Sequence, residues 1–214
     1  MKERPIIFSG PMVRAILEGR KTQTRRPVRG VDECPHGYDG VVTATVAKEA
    51  HLRGKHCFAL ASGESLYLNC PYGTPGARLW VREAWRPTGV CAGQWTSVLY
   101  RADDTQLDRP YFFPNLARGG WRPSIHMPRS ACRLMLEVTK VRVERLGDLT
   151  EKDARGEGIF RAPWSSGRGH GWTSDEGQPV STTAVRAFED LWHSIHGSWL
   201  PDTWVWVVDF RREK

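Results

Sequence analysis

Lys21 and Thr24 stand three residues apart in the run GRKTQTRRP, Gly19 to Pro27. A threonine hydroxyl is a weak nucleophile until a neighbour takes its proton, and an amine can serve as that base. Lysine can do so only after losing its own proton. Burial and nearby positive charge both favour that loss, and Arg20, Arg25 and Arg26 bring the charge close in sequence. Such a pair suits acyl transfer. The same run also reads as a plain basic strip, because Arg20, Arg25, Arg26 and Arg29 suit phosphate contacts or stacking on a base. A lysine just past a helix often does no more than cap carbonyls. A mixed arrangement combines the two: Arg25 or Arg26 holds a phosphate or base edge while Lys21 and Thr24 face the reactive carbon.

The elements around the run are expected to place it at a helix stop. Arg4 to Phe8 reads as a short strand, and SGPMVRAILEG as a helix with Ser9 or Gly10 at its cap and Pro11 in its first turn. Val13, Ile16 and Leu17 share one helical face, and Gly19 ends the helix. Pro27 pushes Arg26 toward extended backbone. Further on, PGARLWVREAW follows a Pro-Gly turn as a strand, with WTSVLYRAD as its hairpin neighbour. CRLMLEVTKVRVERL carries the longest β pattern. LTEKDARGEG follows as a short helix in which Thr150 and Asp153 form a capping-box pair. A second good helix spans about Thr182 to His196, with Val185, Phe188, Leu191, Trp192 and Ile195 on one face. TWVWVVDF closes the chain as a strand whose Trp204 and Trp206 belong to the core. Residues 28–75 are expected to be loop-rich, with alternating segments at Val41 to Ala47 and Ser65 to Asn69. Phe160 to Pro179 is expected to be a flexible Gly- and Ser-rich insertion.

Composition narrows the partners. The 214 residues carry a net charge of +7, which points toward polyanions. Apolar runs are far shorter than the ~20 residues that span a bilayer, and the basic N-terminus lacks a secretory h-region. A cytoplasmic protein is the expectation, with no membrane partner. Five cysteines, an odd number, fit free thiols better than a disulfide framework. CPHG at Cys34 and CPYG at Cys70, with His36 and Cys57, look faintly like a zinc knuckle. Their spacing is not C-x-x-C, and no metal or cofactor is expected.

The run GRKTQTR resembles the G-x-K-x-x-T-x-R signature of the ASCH domain, a β-barrel family of the PUA-like superfamily. LEVTKVRVERLGDLTEKDARGEG resembles that family's second segment, where a strand runs into a short helix, and TWVWVVDF its last strand. With CPYGTPGARLWVREAW and WRPSIHMPR, the chain resembles the longer ASCH proteins of phages and prophages. The resemblance implies an α+β fold: one domain over residues 1–214, a small PUA-like β-barrel with two or three flanking helices, and insertions near 27–75 and 160–180. It implies a nucleoside or RNA as partner. Small bacterial members include amidohydrolases that remove the acetyl group from the exocyclic amine of acetylcytidine, and their site residues correspond to Lys21, Thr24 and Glu157. Other members are described as RNA-binding, and ribonuclease activity has been reported for some.

In this reading Thr24 is the nucleophile, Lys21 its base and Glu157 the proton donor to the leaving amine. Glu157 lies near the C-terminal end of its short helix, where the dipole disfavours the carboxylate. Trp80, Arg82, Trp85 and His126 are candidates for holding a base by stacking or hydrogen bonding. Glu83 is a second carboxylate for reading a cytosine amine, with an ion pair to an arginine as the plain alternative. The chain is about twice as long as the small amidohydrolases. Its insertions are expected to reshape the pocket, or to shift the substrate to a base modification on phage nucleic acid.

Overall fold

The computed structural model describes residues 3–29, 41–46, 55–60, 65–91, 94–103, 120–164, 169–175 and 180–213. β1 (Glu3–Ile7) leads into α1 (Gly10–Leu17) and β2 (Gln23–Pro27). β3 (Val41–Val46), β4 (Lys55–Leu60) and β5 (Ser65–Asn69) form an antiparallel meander. After β6 (Arg78–Arg82), β7 (Trp85–Cys91) and β8 (Gln94–Tyr100) pair as a hairpin. β9 (Met135–Arg145) and α2 (Glu151–Gly156) follow, then the small hairpin of β10 (Phe160–Pro163) and β11 (His170–Thr173). α3 (Ala184–His196) and β12 (Trp204–Arg212) complete the chain.

The central sheet runs β1-β6-β9-β12-β2, with β1 and β6 parallel and the other pairs antiparallel. This α+β architecture, mostly sheet with three α-helices among the described residues, matches the expected class. Among the described residues the barrel does not close: β1 and β2 are the two edges of the central sheet. Their gap is spanned by a side chain, because Arg26 donates from a terminal nitrogen to the Ile7 carbonyl at 2.6 Å and lies over the Phe8 ring.

β12 explains why the sheet is two-sided. Its Trp204, Trp206, Val208 and Phe210 join Phe8, Leu79, Leu136 and Val138 in the inner core. Val205 and Val207 face the other way and are sealed under Leu149, Ala154, Phe188 and Trp192. Fully burying each such valine stabilises the fold by about 1.5–3 kcal/mol. Trp204, Trp206 and Trp192 are core residues, as their spacing predicted. Ile195 is not: it stands 48% exposed at the end of α3.

The segment expected to be loop-rich supplies the meander, including β4, whose Phe58 is fully buried edge-on to both Trp204 and Trp206. Alternation in KHCFAL was too short to signal that strand. Likewise, residues 160–180 contain a hairpin tied to Ser181 through Trp172 backbone bonds. Among the described residues, no helix is long and apolar enough to cross a membrane.

Candidate functional site

Two helix ends that stop in the same way meet at the site. At the end of α1, the Gly19 amide donates to the Ile16 carbonyl and the Arg20 amide to Ala15, with Gly19 at φ +76°. At the end of α2, the Gly158 amide donates to Arg155 and the Ile159 amide to Ala154. Both are Schellman endings, which a left-handed glycine allows. The first ending delivers Lys21. The second makes Glu157 the C-cap of α2.

Lys21 Nζ donates to the Glu157 carbonyl at 2.8 Å and to its Oε2 at 2.7 Å. The other carboxylate oxygen, Oε1, faces an Arg25 terminal nitrogen at 3.4 Å. Arg25 also reaches Glu144 at 3.1 Å and Asp153 at 3.6 Å. Arg142 extends the cluster to Glu144, Asp153 and Asp209, and Gln23 donates to the Asp153 carbonyl and carboxylate. The Lys21 and Arg25 side chains are wholly shielded from solvent and that of Glu157 nearly so.

Burial pushes the Lys21 ammonium below the usual lysine range. The Glu157 carboxylate opposes this, whereas Arg26 and Arg25 add to it. An unfolded lysine titrates near ~10.4, so the unfolded chain binds more protons between the depressed folded value and that figure. Stability should therefore rise with pH across this window and fall as pH drops back to the folded value. Urea titrations of wild type and Lys21→Met over neutral to alkaline pH check this. The wild-type curve should climb relative to the variant's, and parallel curves would contradict the depressed value.

Thr24 lies on β2, opposite Val208 of β12. Side chains alternate along a strand, and Gln23 and Arg25 point toward α2, so Thr24 faces the inner core with Phe8 and Val208. The Phe8 ring centre is 5.6 Å from Lys21 Nζ and 5.4 Å from the Arg26 guanidinium carbon. The structure thus brings Lys21 and Glu157 into direct contact and buries Thr24 on the adjoining strand. The Lys21 hydrogen bonds go to Glu157, not to the threonine hydroxyl.

Open space lies to one side of Lys21 and Thr24, neither of which lines it. A cleft of about 530 Å³ is lined by Ser9, Met12, Ala15, Glu157, Asp175 and Asp190, among others, between α1, α3 and the end of β11. Glu157 is the member of the buried pair that belongs to its wall. Asp175 in its wall is ion-paired with Arg14 at 2.8 Å.

The arginines expected to hold ligand are engaged elsewhere. Arg25 cannot grip a phosphate, because strand alternation sends it beneath α2 among three carboxylates. Arg20 pairs with Glu18, donates to the Gly158 carbonyl and stacks on Phe160 at 4.4 Å. Glu83 is 1% exposed and held by two Arg133 nitrogens at 2.9 Å, the plain alternative to reading a base. Burial nevertheless raises its pKa, with Arg133 opposing. Trp85 is buried as a core residue of the hairpin and cannot offer a ring face to a ligand. Trp80 and Arg82 lie together on the outer side of β6, at 5.3 Å. His126 is exposed, in a single 3-10 turn.

Sequence reasoning missed Glu144, Asp153 and Arg142 as partners of this centre. The available signal was Arg142 and Glu144 two apart on one face of a predicted core strand, where charge demands partners. Among the described residues no three His, Cys, Asp or Glu side chains form a metal-binding group. Cys57 and Cys70 are free thiols, Cys70 raised to about 11 by burial; Cys34 and His36 lie outside the described residues.

The chain is thus an α+β protein built around a buried lysine–glutamate pair beside a cleft. Comparison with protein-family models, curated proteins and solved structures finds no match to it.

Proposed function

We propose that this chain is an ASCH-type member of the PUA-like superfamily that binds a nucleoside or RNA and removes an acyl group from a nucleobase exocyclic amine, as in acetylcytidine. The observation that carries the reading is the 2.7 Å contact between Lys21 and Glu157 at the cleft wall. A base and an acid in direct contact can pass one proton between them. Thr24 Oγ attacks the acyl carbon while Lys21 takes its proton. Glu157 delivers a proton to the departing amine nitrogen as the C–N bond breaks and is reprotonated from Lys21. Water then hydrolyses the threonine ester, releasing the carboxylic acid. Acid–base help of this kind contributes about 10²- to 10⁴-fold. Attack requires Thr24 to meet the substrate from the core side of β2, so the substrate enters past Glu157.

The fold supports the same reading. The G-x-K-x-x-T-x-R run falls at the α1–β2 junction, and the second segment runs from β9 into α2, as the family order implies. A second reading, a module that binds a modified base without chemistry, is favoured by the complete shielding of the Lys21 and Arg25 side chains.

The test is incubation with acetylcytidine and chromatographic detection of cytidine. Wild type should release cytidine, and Thr24→Ala should lower the rate by at least the ~10²-fold expected for losing the nucleophile's chemistry. The rate should rise with pH through the depressed Lys21 value, because the base works unprotonated. Undiminished turnover by Thr24→Ala, or none by wild type, leaves the binding module. Shortened RNA products would instead indicate a nuclease.

A further inference from the structure

Away from the cleft, the solvent sides of β6 and the β7–β8 hairpin share a surface with residues 121–126. The segment is tied at both ends. Arg122 exchanges backbone hydrogen bonds with Trp85, and Arg82 donates to the Ile125 carbonyl. Along this face guanidinium groups lie over rings: Arg82 on Trp80 at 5.3 Å and Arg86 on Trp121 at 5.3 Å. Both tryptophans keep part of their surface in solvent.

The charge here is one-sided. Residues 78–103 and 120–133 contain seven arginines, no lysine and two carboxylates, Glu83 and Asp103. Arg133 takes both carboxylates, at 2.9 and 2.5 Å, and Arg78 and Arg129 are paired with Glu213 and Glu3 from outside these ranges. Arg82, Arg86 and Arg101 are left with no ion pair among the described residues. Ile7, Leu99 and Ile125 are exposed on the same side at 40, 38 and 56%. Ile7 is in register with Arg82, and Leu99 with Arg86.

We propose that this face is a platform for single-stranded nucleic acid. Arg86 and Arg101 hold phosphates, and bases stack on the Arg82–Trp80 and Arg86–Trp121 planes. Arginine suits both tasks: its planar fork bonds phosphate oxygens in pairs, and its plane stacks on bases. A protein partner would have to bring carboxylates to match, whereas a strand brings a negative charge at every nucleotide. The two tasks here are performed by adjacent side chains, as sequence-tolerant strand binding requires. The corollary rests on the hydrolase reading: the substrate is then an acylated base carried on a strand rather than a free nucleoside.

The experiment is fluorescence anisotropy with a labelled oligouridylate of about 12 nucleotides, a length within the range such grooves cover. Wild type should bind, and affinity should fall as salt rises from about 50 to 200 mM. The double variant Arg86→Gln/Arg101→Gln should flatten the log–log salt slope by about 1.4, two single-strand phosphate contacts. Trp121→Leu should weaken binding about tenfold with the slope kept. Thermal unfolding of each variant shows that the fold is retained.

An undisturbed affinity in both surface variants, or no binding by wild type at low salt, overturns the proposal. So does a wild type that ignores the strand but sediments as a dimer that Ile125→Asp dissolves, which makes the face a protein contact. Hydrolysis of acetylcytidine without strand binding sinks the platform and leaves the hydrolase. Strand binding without hydrolysis does the reverse.

Discussion

Glu157→Gln should destabilise the protein by about 3–5 kcal/mol at neutral pH, the range for breaking a buried ion pair from one side. The change is nearly isosteric, so packing contributes little. The carboxylate now faces Lys21 with one oxygen and Arg25 with the other. A side-chain amide can present its oxygen to Lys21 only by turning its NH₂ toward Arg25. Either orientation sets one donor against another. Arg25 keeps Glu144 and Asp153, but among the described residues Lys21 keeps only the Glu157 main-chain carbonyl. Its ammonium is then buried and uncompensated, and its folded pKa drops further, because Glu157 is the chief influence holding it up.

The loss should therefore shrink as pH rises and Lys21 sheds its proton in the folded variant. Adding Lys21→Met to Glu157→Gln should recover much of the stability, since it removes the stranded charge. Urea unfolding at neutral and alkaline pH measures all three variants. A pH-independent loss, or a double variant as weak as the sum of the singles, would mean that the pair is not coupled as its geometry indicates.

Gly158→Ala should cost about 2–4 kcal/mol, from two sources that add. Gly158 has φ +100°, outside the backbone range that L side chains adopt without strain. A Cβ there would stand 3.1 Å from the Ala15 Cβ and 3.3 Å from the Lys21 Cβ. Neither neighbour is the far end of a flexible chain, so α1 and the Lys21 backbone must shift. For a protein of this size the expected fall in Tm is about 5–15 °C. Gly19→Ala is the matched control. Its φ of +76° carries conformational strain, but nothing lies within 4 Å of the added carbon, so it should cost only about 1–2 kcal/mol. A thermal melt of the two variants separates strain from crowding. Equal losses would show that the approach of the two helix ends is not tight. Because the shift falls on Lys21, Gly158→Ala should also slow any reaction that depends on that amine.

What the sequence determined by itself is short in range. The stop of α1 at Gly19, the capping box in which Thr150 accepts from the Asp153 amide, and the extended run Met135–Arg145 all follow from hydrogen bonds and periodicities within about four residues. The same holds for the core role of Trp204 and Trp206, since a run of alternating large apolar side chains has nowhere else to go.

The site was legible only in part. Lys21 and Thr24 were singled out by their spacing, and Glu157 by family resemblance. That Lys21 and Glu157, 136 positions apart, end at 2.7 Å depended on two helix ends packing through a glycine too small to keep them apart. Which arginine would be available to a ligand was likewise beyond the sequence. Arg25 and Arg26 are neighbours with the same chemistry. Alternation along β2 sends them to opposite faces: the packing of α2 on one encloses Arg25 among carboxylates, while on the other Arg26 reaches the Ile7 carbonyl beside Phe8. A local pattern specifies that two side chains point apart. What each one meets is set by the elements that cover the strand, and those come from distant parts of the chain.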